Sequence, residues 1–144
     1  MKKLLLLLCF GIMVSVAGYS PANNTITITV EPPISPYEAI WEATCKIESN
    51  NDPNAVGDKK LRNKAYGIVQ IRKPRLDDYF KQTGIKYKPI DMFDTIKSKS
   101  VFMWYAMQYP PSDIESISRC WNGGSNGMKK QSTKAYYKKV LLSL

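Results

Sequence analysis

The chain has 144 residues, which is enough for one domain with a single hydrophobic core. It carries 21 Lys and Arg residues against 12 Asp and Glu, a formal net charge of +9. It contains no histidine, and this excludes His-based catalytic triads and His-ligated metal sites.

The first 18 residues have the pattern of a secretory signal peptide. Lys2 and Lys3 form a basic start, residues 4–16 are almost continuously apolar, and Ala17 and Gly18 are small. The apolar run is shorter than the roughly 20 residues of a membrane span. We therefore predict cleavage near Gly18 and export to the periplasm or the extracellular space. An uncleaved segment would instead keep the protein at the membrane.

Export changes how the charge is interpreted. Without Lys2 and Lys3 the net charge is +7, and the basic residues are scattered along the chain. A basic exported protein suits anionic polymers, including those of the cell wall, whereas export argues against nucleic acid as a partner. A solvated basic surface also accounts for much of this charge.

Export also affects the cysteines. Cys9 leaves with the signal peptide, so Cys45 and Cys120 remain in an oxidising compartment. A Cys45–Cys120 disulfide and two buried free thiols are the two alternatives, and the sequence does not choose between them. Two cysteines are too few for a structural zinc site, and we expect no metal.

Residues 19–34 are predicted to form an extended or flexible N-terminal arm. Residues 25–30 alternate like a strand, and the prolines that follow interrupt regular structure. The globular domain is predicted over residues 35–144. Its first helix begins at Ser35, with Pro36 in the first turn and Glu38 completing a capping box, and ends near Asn50.

Glu48 is the most informative residue of that helix. Helical spacing places it on the same face as Tyr37, Trp41 and Thr44. Burial raises the pKa of a carboxyl, and the negative end of the helix dipole acts in the same direction. A Glu that keeps its proton near neutral pH is suited to general acid catalysis. The alternative is a helix-end Glu that turns out to solvent.

The rest of the chain is predicted to be mainly helical with little or no sheet. Residues 53–63 are polar and irregular apart from a turn, and residues 65–71 form a short strand or a packed loop. Apolar periodicity, capping residues, Gly and Pro predict four more helices, at 73–83, 94–109, 112–121 and 132–142. The third of these begins with a Ser112–Glu115 capping box, and residues 122–127 are predicted to form a loop.

Three segments in this order resemble the soluble lytic transglycosylase domain of the lysozyme-like superfamily. They are CKIESNNDPNA at 45–55, AYGIVQI at 65–71, and CWNGG at 120–124 followed by TKAYYKKV at 133–140. The family shows an E-S motif and a D/N-P-x-A turn, then G-L-M-Q-I, then A-Y-N-x-G, then a T-x-x-Y-V-x-K-V helix. The resemblance covers roughly residues 36–142 and implies a mainly α, lysozyme-like fold.

The resemblance also implies roles for particular residues. Glu48 takes the place of the catalytic acid. The implied substrate-binding residues are Ser49, Tyr66, Gln70, Trp121, Asn122 and Tyr136. Structural alternatives stay open for three of them. Gln70 would only hold backbone groups in place, Asn122 would cap the helix before it, and Tyr136 would be a core residue. Trp121 replaces the family's usual Tyr, and Gly57 stands where the family often has Ser.

The same segments resemble animal-type lysozymes, with one informative difference. Those enzymes carry a second carboxylate before Tyr-Gly, and Ala65 takes that place here. Retaining glycosidases with a carboxylate nucleophile need two carboxyl groups about 5–5.5 Å apart. Asp52 and Asp58 are the nearest acidic residues in sequence, and Asp52 belongs to the family's turn motif. A lone catalytic Glu is what lytic transglycosylases use.

The function that the resemblance implies is cleavage of the β-1,4 bond between N-acetylmuramic acid and N-acetylglucosamine, with 1,6-anhydro products and without a cofactor. The alternatives are a hydrolytic muramidase and a non-catalytic wall-binding or assembly component. The expected partners are peptidoglycan glycan strands, and the expected state is a monomer. Whether the protein serves a secretion, conjugation or phage machinery stays open.

Overall fold

The computed structural model of the protein describes residues 35–144. The predicted signal peptide and N-terminal arm lie outside the described residues. The described part is a mainly helical compact unit, as predicted. Its elements are α1 (Pro36–Ser49), β1 (Val56–Gly57), β2 (Ala65–Tyr66), α2 (Lys73–Thr83), a 3-10 helix (Pro89–Phe93), α3 (Thr95–Ala106), α4 (Ile114–Gly123), a 3-10 helix (Gly127–Lys129) and α5 (Ser132–Leu141).

The core lies between α1 and the helices that pack on it. α1 contacts both α3 and α5, and α4 contacts α3 and α5 in turn. An edge-to-face aromatic series crosses this core, with ring centroids 5.3 Å apart for Trp41 and Phe102 and 4.9 Å apart for Phe102 and Trp121. Phe102 is 1% exposed. Such aromatic pairs add to the free energy gained from burying their area, and they connect the middle of α1 to the C-terminal turn of α4 through α3.

Both predicted capping boxes are wrong, although the helices exist. Ser35 makes no side-chain cap, and the Glu38 carboxylate pairs instead with Lys99 of α3. At α4 the cap is Asp113, whose Oδ1 accepts from the backbone N–H of Ser116 at 3.0 Å. In both cases a residue with a stronger tertiary or local partner replaces the predicted one. A short sequence pattern does not contain that competition.

Several element boundaries differ from the prediction, and one short strand was not predicted. α3 ends at Ala106, three residues earlier than expected, and residues 122–123, predicted as loop, complete the last turn of α4. The segment predicted to be irregular contains β1, which pairs antiparallel with β2, Val56 opposite Tyr66. A two-residue strand is too short to show the alternation by which strands are recognised.

Cys45 and Cys120 are free thiols, and both are buried. The Cys45–Cys120 disulfide is therefore not formed, and the alternative of two buried thiols describes the structure. The two side chains have different surroundings. Burial raises the pKa of Cys45 to about 12, and the charges of Lys99 and Glu42 have smaller effects on it. Cys120 lies beside the hydroxyl of Tyr109.

A buried arginine organises the connection from α4 to α5. Arg119 is 4% exposed and pairs with Glu115 one turn earlier. Its Nε donates to Thr133 Oγ1 at 3.0 Å, and its Nη2 donates to the Met128 carbonyl at 2.6 Å. These bonds satisfy the guanidinium and tie the loop to the start of α5. They set the direction in which α5 returns across α1.

The turn after β2 depends on a glycine. Gly67 has φ 75°, and its N–H donates to the Ala55 carbonyl at 2.9 Å. A Cβ on Gly67 would overlap the backbone carbonyl of Met92. Both the left-handed conformation and the close backbone approach therefore require glycine here. No helix within residues 35–144 is long and apolar enough to cross a membrane.

Gly67→Ala should lower the free energy of unfolding by about 2–5 kcal/mol. The left-handed conformation costs a residue with a Cβ about 1–2 kcal/mol, and the overlap with Met92 adds about 1–3 kcal/mol. Gly84→Ala is the matched control, because Gly84 has φ 74° but open space around it. It should lose about 1–2 kcal/mol only. Denaturant unfolding of both variants measures the difference, and equal losses would contradict the packing argument.

Candidate active site

An open cavity of about 610 Å³ lies where α1, the β-hairpin, α2 and the end of α4 meet. Most of its wall is polar or charged. The lining residues are Glu48, Gly57, Asp58, Ala65, Gln70, Arg72, Pro74, Arg75, Asp78, Tyr105, Trp121, Asn122, Gly123, Gly124, Ser125 and Lys130. A polar wall of this kind suits a hydroxyl-rich ligand better than an apolar one.

Glu48 lies on the wall of this cavity, in the last turn of α1. It is half-buried, so it does not turn fully out to solvent. Asn50 ends the helix in the left-handed conformation, with φ 54°. The hydroxyl of Tyr136 on α5 donates a hydrogen bond to Glu48 Oε1 at 2.8 Å. The first and last helices of the described unit therefore meet at this carboxyl.

The pKa of Glu48 is raised above its ordinary value, in the direction that the sequence predicts. Burial is the main cause, because it disfavours the charged form. The hydrogen bond from Tyr136 and the positive charges of Arg75 and Arg72 act in the opposite direction. The pKa of Tyr136 is raised as well, by burial and by the Glu48 carboxylate, so its phenol stays a hydrogen-bond donor.

Gln70 lines the cavity in a strained conformation. Its φ is 53°, which is unusual for a residue with a side chain. Its Nε2 donates to the Gly67 carbonyl at 2.8 Å and to the Ala55 carbonyl at 3.3 Å. Its Oε1 occupies the space that a side chain at Gly57 would need. Gln70 thus ties down the backbone, as the structural alternative had it, and also forms part of the wall.

Trp121 and Asn122 reach the cavity from the C-terminal turn of α4. Trp121 is only 7% exposed, because one part of it packs on Phe102. Asn122 is exposed and lies inside the helix. Asn122 is therefore not the cap of α4, which is Gly124, and its side chain is accessible from the cavity.

Ser49 and Tyr66 are not among the residues that line the cavity, and neither is Tyr136, which is a core residue at 8% exposure. The Ser49 hydroxyl donates to the Ile68 carbonyl at 2.7 Å and approaches the Cys45 carbonyl at 3.3 Å. The Tyr66 ring packs edge-to-face on Phe93, with centroids 5.9 Å apart. In this structure both residues support the backbone of the hairpin and the turn that follows it.

Arg75 lines the cavity but was not predicted as a site residue, and the same holds for Asp78, Tyr105 and Lys130. Its guanidinium carbon lies 4.0 Å from the ring centroid of Tyr105 and 4.0 Å from that of Trp121. Its Nη2 donates to the Trp121 carbonyl at 2.6 Å. In the sequence Arg75 is one of several basic residues near the start of α2, and no pattern separates it from Arg72 or Lys73. The two rings come from distant parts of the chain.

The remaining charges in the wall are arranged in opposite pairs or directed at backbone groups. Asp58, with φ 50°, forms an ion pair with Arg72 at the cavity rim. The Lys130 ammonium donates to the Gly123 carbonyl at 2.7 Å. Within residues 35–144 no group of three or more Cys, Asp or Glu side chains is arranged to hold a metal ion.

No family model matches this chain, and no curated protein matches it. The likeness to the soluble lytic transglycosylase domain therefore rests on the residues that carry its motifs. Of those residues, the structure brings Glu48, Gln70, Trp121 and Asn122 to one cavity and places Tyr136 on Glu48.

Glu48→Gln should raise the free energy of unfolding relative to the native protein, and the gain should grow as the pH rises. The raised pKa means that the folded state binds this proton more tightly than the unfolded chain does. The native protein therefore loses stability as the pH rises from about 4, the unperturbed value, through the folded pKa. Gln cannot ionise, so the variant does not share that loss.

Denaturant unfolding between pH 4 and pH 8 measures this difference. Glu42→Gln is the matched control, because Glu42 is an exposed carboxylate on the same helix and its replacement also removes one negative charge. A Glu48→Gln advantage that stays constant with pH would show that Glu48 is not held in its protonated form.

Proposed function

We propose that this protein is an exported peptidoglycan lytic transglycosylase and that Glu48 is its catalytic acid and base. The observation that carries the proposal is the state of Glu48: a carboxyl with a raised pKa, hydrogen-bonded to Tyr136, on the wall of an open polar cavity. The motif resemblance supports the same assignment. The signal-peptide pattern would place the enzyme in the same compartment as its substrate.

The first step is proton transfer from Glu48. A glycan strand lies in the cavity with the bond between N-acetylmuramic acid and N-acetylglucosamine beside the carboxyl. Glu48 donates its proton to the glycosidic oxygen, and the bond from that oxygen to C1 of the muramoyl sugar breaks. Burial suits Glu48 to this step, because a raised pKa increases the protonated fraction of the carboxyl that is available as an acid at a given pH.

The second step uses the same residue as a base. The Glu48 carboxylate takes the proton of the C6 hydroxyl, and the C6 oxygen forms a bond to C1, which gives the 1,6-anhydro product. The nucleophile belongs to the substrate, so its proximity replaces a second protein group. Ala65 supports this assignment, because it lines the cavity at 2% exposure and offers no carboxylate where the animal-type lysozymes have one.

Glu48→Gln should abolish strand cleavage while the fold is retained. The amide keeps the shape and can still accept from Tyr136, but it cannot transfer the proton. General acid–base catalysis contributes about 10²–10⁴-fold, so the loss should be at least that large. The measurement is digestion of purified peptidoglycan followed by mass spectrometry of the muropeptides, with Glu42→Gln again as control.

The native protein should release anhydro ends in the same assay. Reducing ends would support a hydrolytic muramidase. Binding of peptidoglycan without cleavage would support a non-catalytic wall-binding component. Turnover by a folded Glu48→Gln variant at the native rate would remove Glu48 from the mechanism.

A hydrolytic muramidase is the second candidate, and Asp58 is the observation that favours it. Asp58 lies in the cavity wall and is close enough to raise the pKa of Glu48 by its charge. A second carboxylate across the cavity could activate a water molecule for attack on C1. Its ion pair with Arg72 weakens this candidate, because the carboxylate is already engaged by a guanidinium and is not free to bind a water molecule.

Asp58→Asn separates the two candidates. In a lytic transglycosylase the variant should keep its activity within about tenfold and should still form anhydro ends, since Asp58 transfers no proton. In a hydrolase it should lose about 10²-fold or more. Asp78→Asn is the control, because Asp78 is the other aspartate in the cavity wall. The rate and the ratio of anhydro to reducing ends are both read from the muropeptides.

A further inference from the structure

Arg75 carries a positive charge for which the two chemical steps above give no use. Its guanidinium lies in a clamp formed by the rings of Tyr105 and Trp121, which are nearly perpendicular to each other and meet it at a corner. Its Nη1 is buried and has no hydrogen-bond partner. Within residues 35–144 Arg75 forms no ion pair with a carboxylate, unlike Arg72 in the same wall.

An arrangement of this kind is costly. Taking a charged group out of water without a matching opposite charge disfavours folding. Ring faces and one carbonyl offset part of that cost, because they attract a cation. The remaining charge stays positive, since a guanidinium does not lose its proton in proteins. Such a charge stabilises any negative charge that forms nearby in the same poorly solvated region.

Four groups from three parts of the chain act on Glu48. Tyr136 of α5 donates a hydrogen bond to it, Arg75 of α2 and Arg72 just before α2 are positive, and Asp58 after β1 is negative. Arg72 and Asp58 pair with each other at the rim, so their effects on Glu48 largely offset one another. Of the cavity's remaining charged groups, Asp78 lies on the same helix as Arg75, and Lys130 is directed at a backbone carbonyl. Arg75 is therefore the unmatched positive charge near Glu48.

We infer that Arg75 is a positioning residue that acts as the fixed countercharge for the carboxylate that Glu48 becomes after it donates its proton. The role in catalysis rests on the proposed function; the interaction between the two charges does not. The clamp suits Arg better than Lys, because a planar guanidinium can pack on ring faces and donate to a carbonyl at the same time. A large ring and a backbone carbonyl at one position hold the planar guanidinium in place before any negative charge forms.

The first experiment uses the native full chain and contains no variant of Arg75. NMR titration follows the Glu48 carboxyl and the Arg75 guanidinium nitrogens as the pH changes. The Arg75 signals should shift with the same midpoint as Glu48, because each charge senses the other. In Glu48→Gln that shift should vanish. An Arg75 signal that does not respond at the Glu48 midpoint, or that responds equally in Glu48→Gln, overturns the inference.

The second experiment removes the charge. In Arg75→Met the pKa of Glu48 should rise, whereas Arg75→Lys should stay closer to the native protein because it keeps the charge. The double variant Arg72→Met with Asp58→Asn is the matched control, since it removes both charges of a pair whose effects on Glu48 offset one another. A folded Arg75→Met variant with an unchanged Glu48 titration, or a larger effect from the double variant, contradicts the inference. If Arg75→Met does not fold, the native titration above decides alone.

The pH profile of peptidoglycan cleavage then tests the catalytic role. In Arg75→Met the higher pKa of Glu48 makes it a weaker acid. The plateau rate of this variant should therefore fall by about tenfold, and the alkaline limb of its profile should move to higher pH. Purely structural damage would lower the plateau without moving the limb, and that result would overturn the catalytic role. If the native protein does not cleave peptidoglycan, the proposed function fails while the charge coupling in the titration still stands.

Discussion

The hydrogen bond from Tyr136 to Glu48 joins the first helix of the described unit to the last, across 88 positions of sequence. Its geometry depends on nearly every other feature of the fold. Arg119 sets the path of the chain into α5 by binding Thr133 and the loop before it. The contact of α1 with α5 then brings the phenol over the carboxyl. A small displacement of either helix would leave a buried carboxyl without its partner, which costs more than the bond itself contributes.

Glu48 is held between opposing influences. Burial favours the protonated form, while the Tyr136 hydroxyl and the Arg75 charge stabilise the ionised form. Under the proposed function Glu48 acts first as an acid and then as a base, and it needs both influences, since either one alone would favour only one of the two steps. Burying this carboxyl lowers the stability of the protein, and a loss of this kind is common at functional sites.

The opposite wall of the cavity is built from backbone rather than from a large core. Gly67 and Gln70 both have positive φ within four residues, and the two-strand hairpin is held to them by the Ala55 carbonyl. The Gln70 side chain fills the space beside Gly57, so the glycine is a consequence of the glutamine's position. Strain of this sort persists only where surrounding contacts over-determine it. Ser98 contributes by donating to the Met92 carbonyl that packs on Gly67.

Apolar periodicity, Gly84 and the prolines were enough to predict the mainly helical class and all five α-helices, because these signals act over a few neighbouring residues. The direction of the pKa shift of Glu48 was predictable for the same reason, since the apolar residues on its face of α1 lie within about three helical turns of it. The capping residues were not, because Glu38 pairs with Lys99 of another helix and Asp113 caps α4 in place of Ser112. The free state of the two cysteines, the hairpin and the clamp around Arg75 were decided by tertiary structure. Each depends on groups that are distant in sequence, and only packing determines which of them meet.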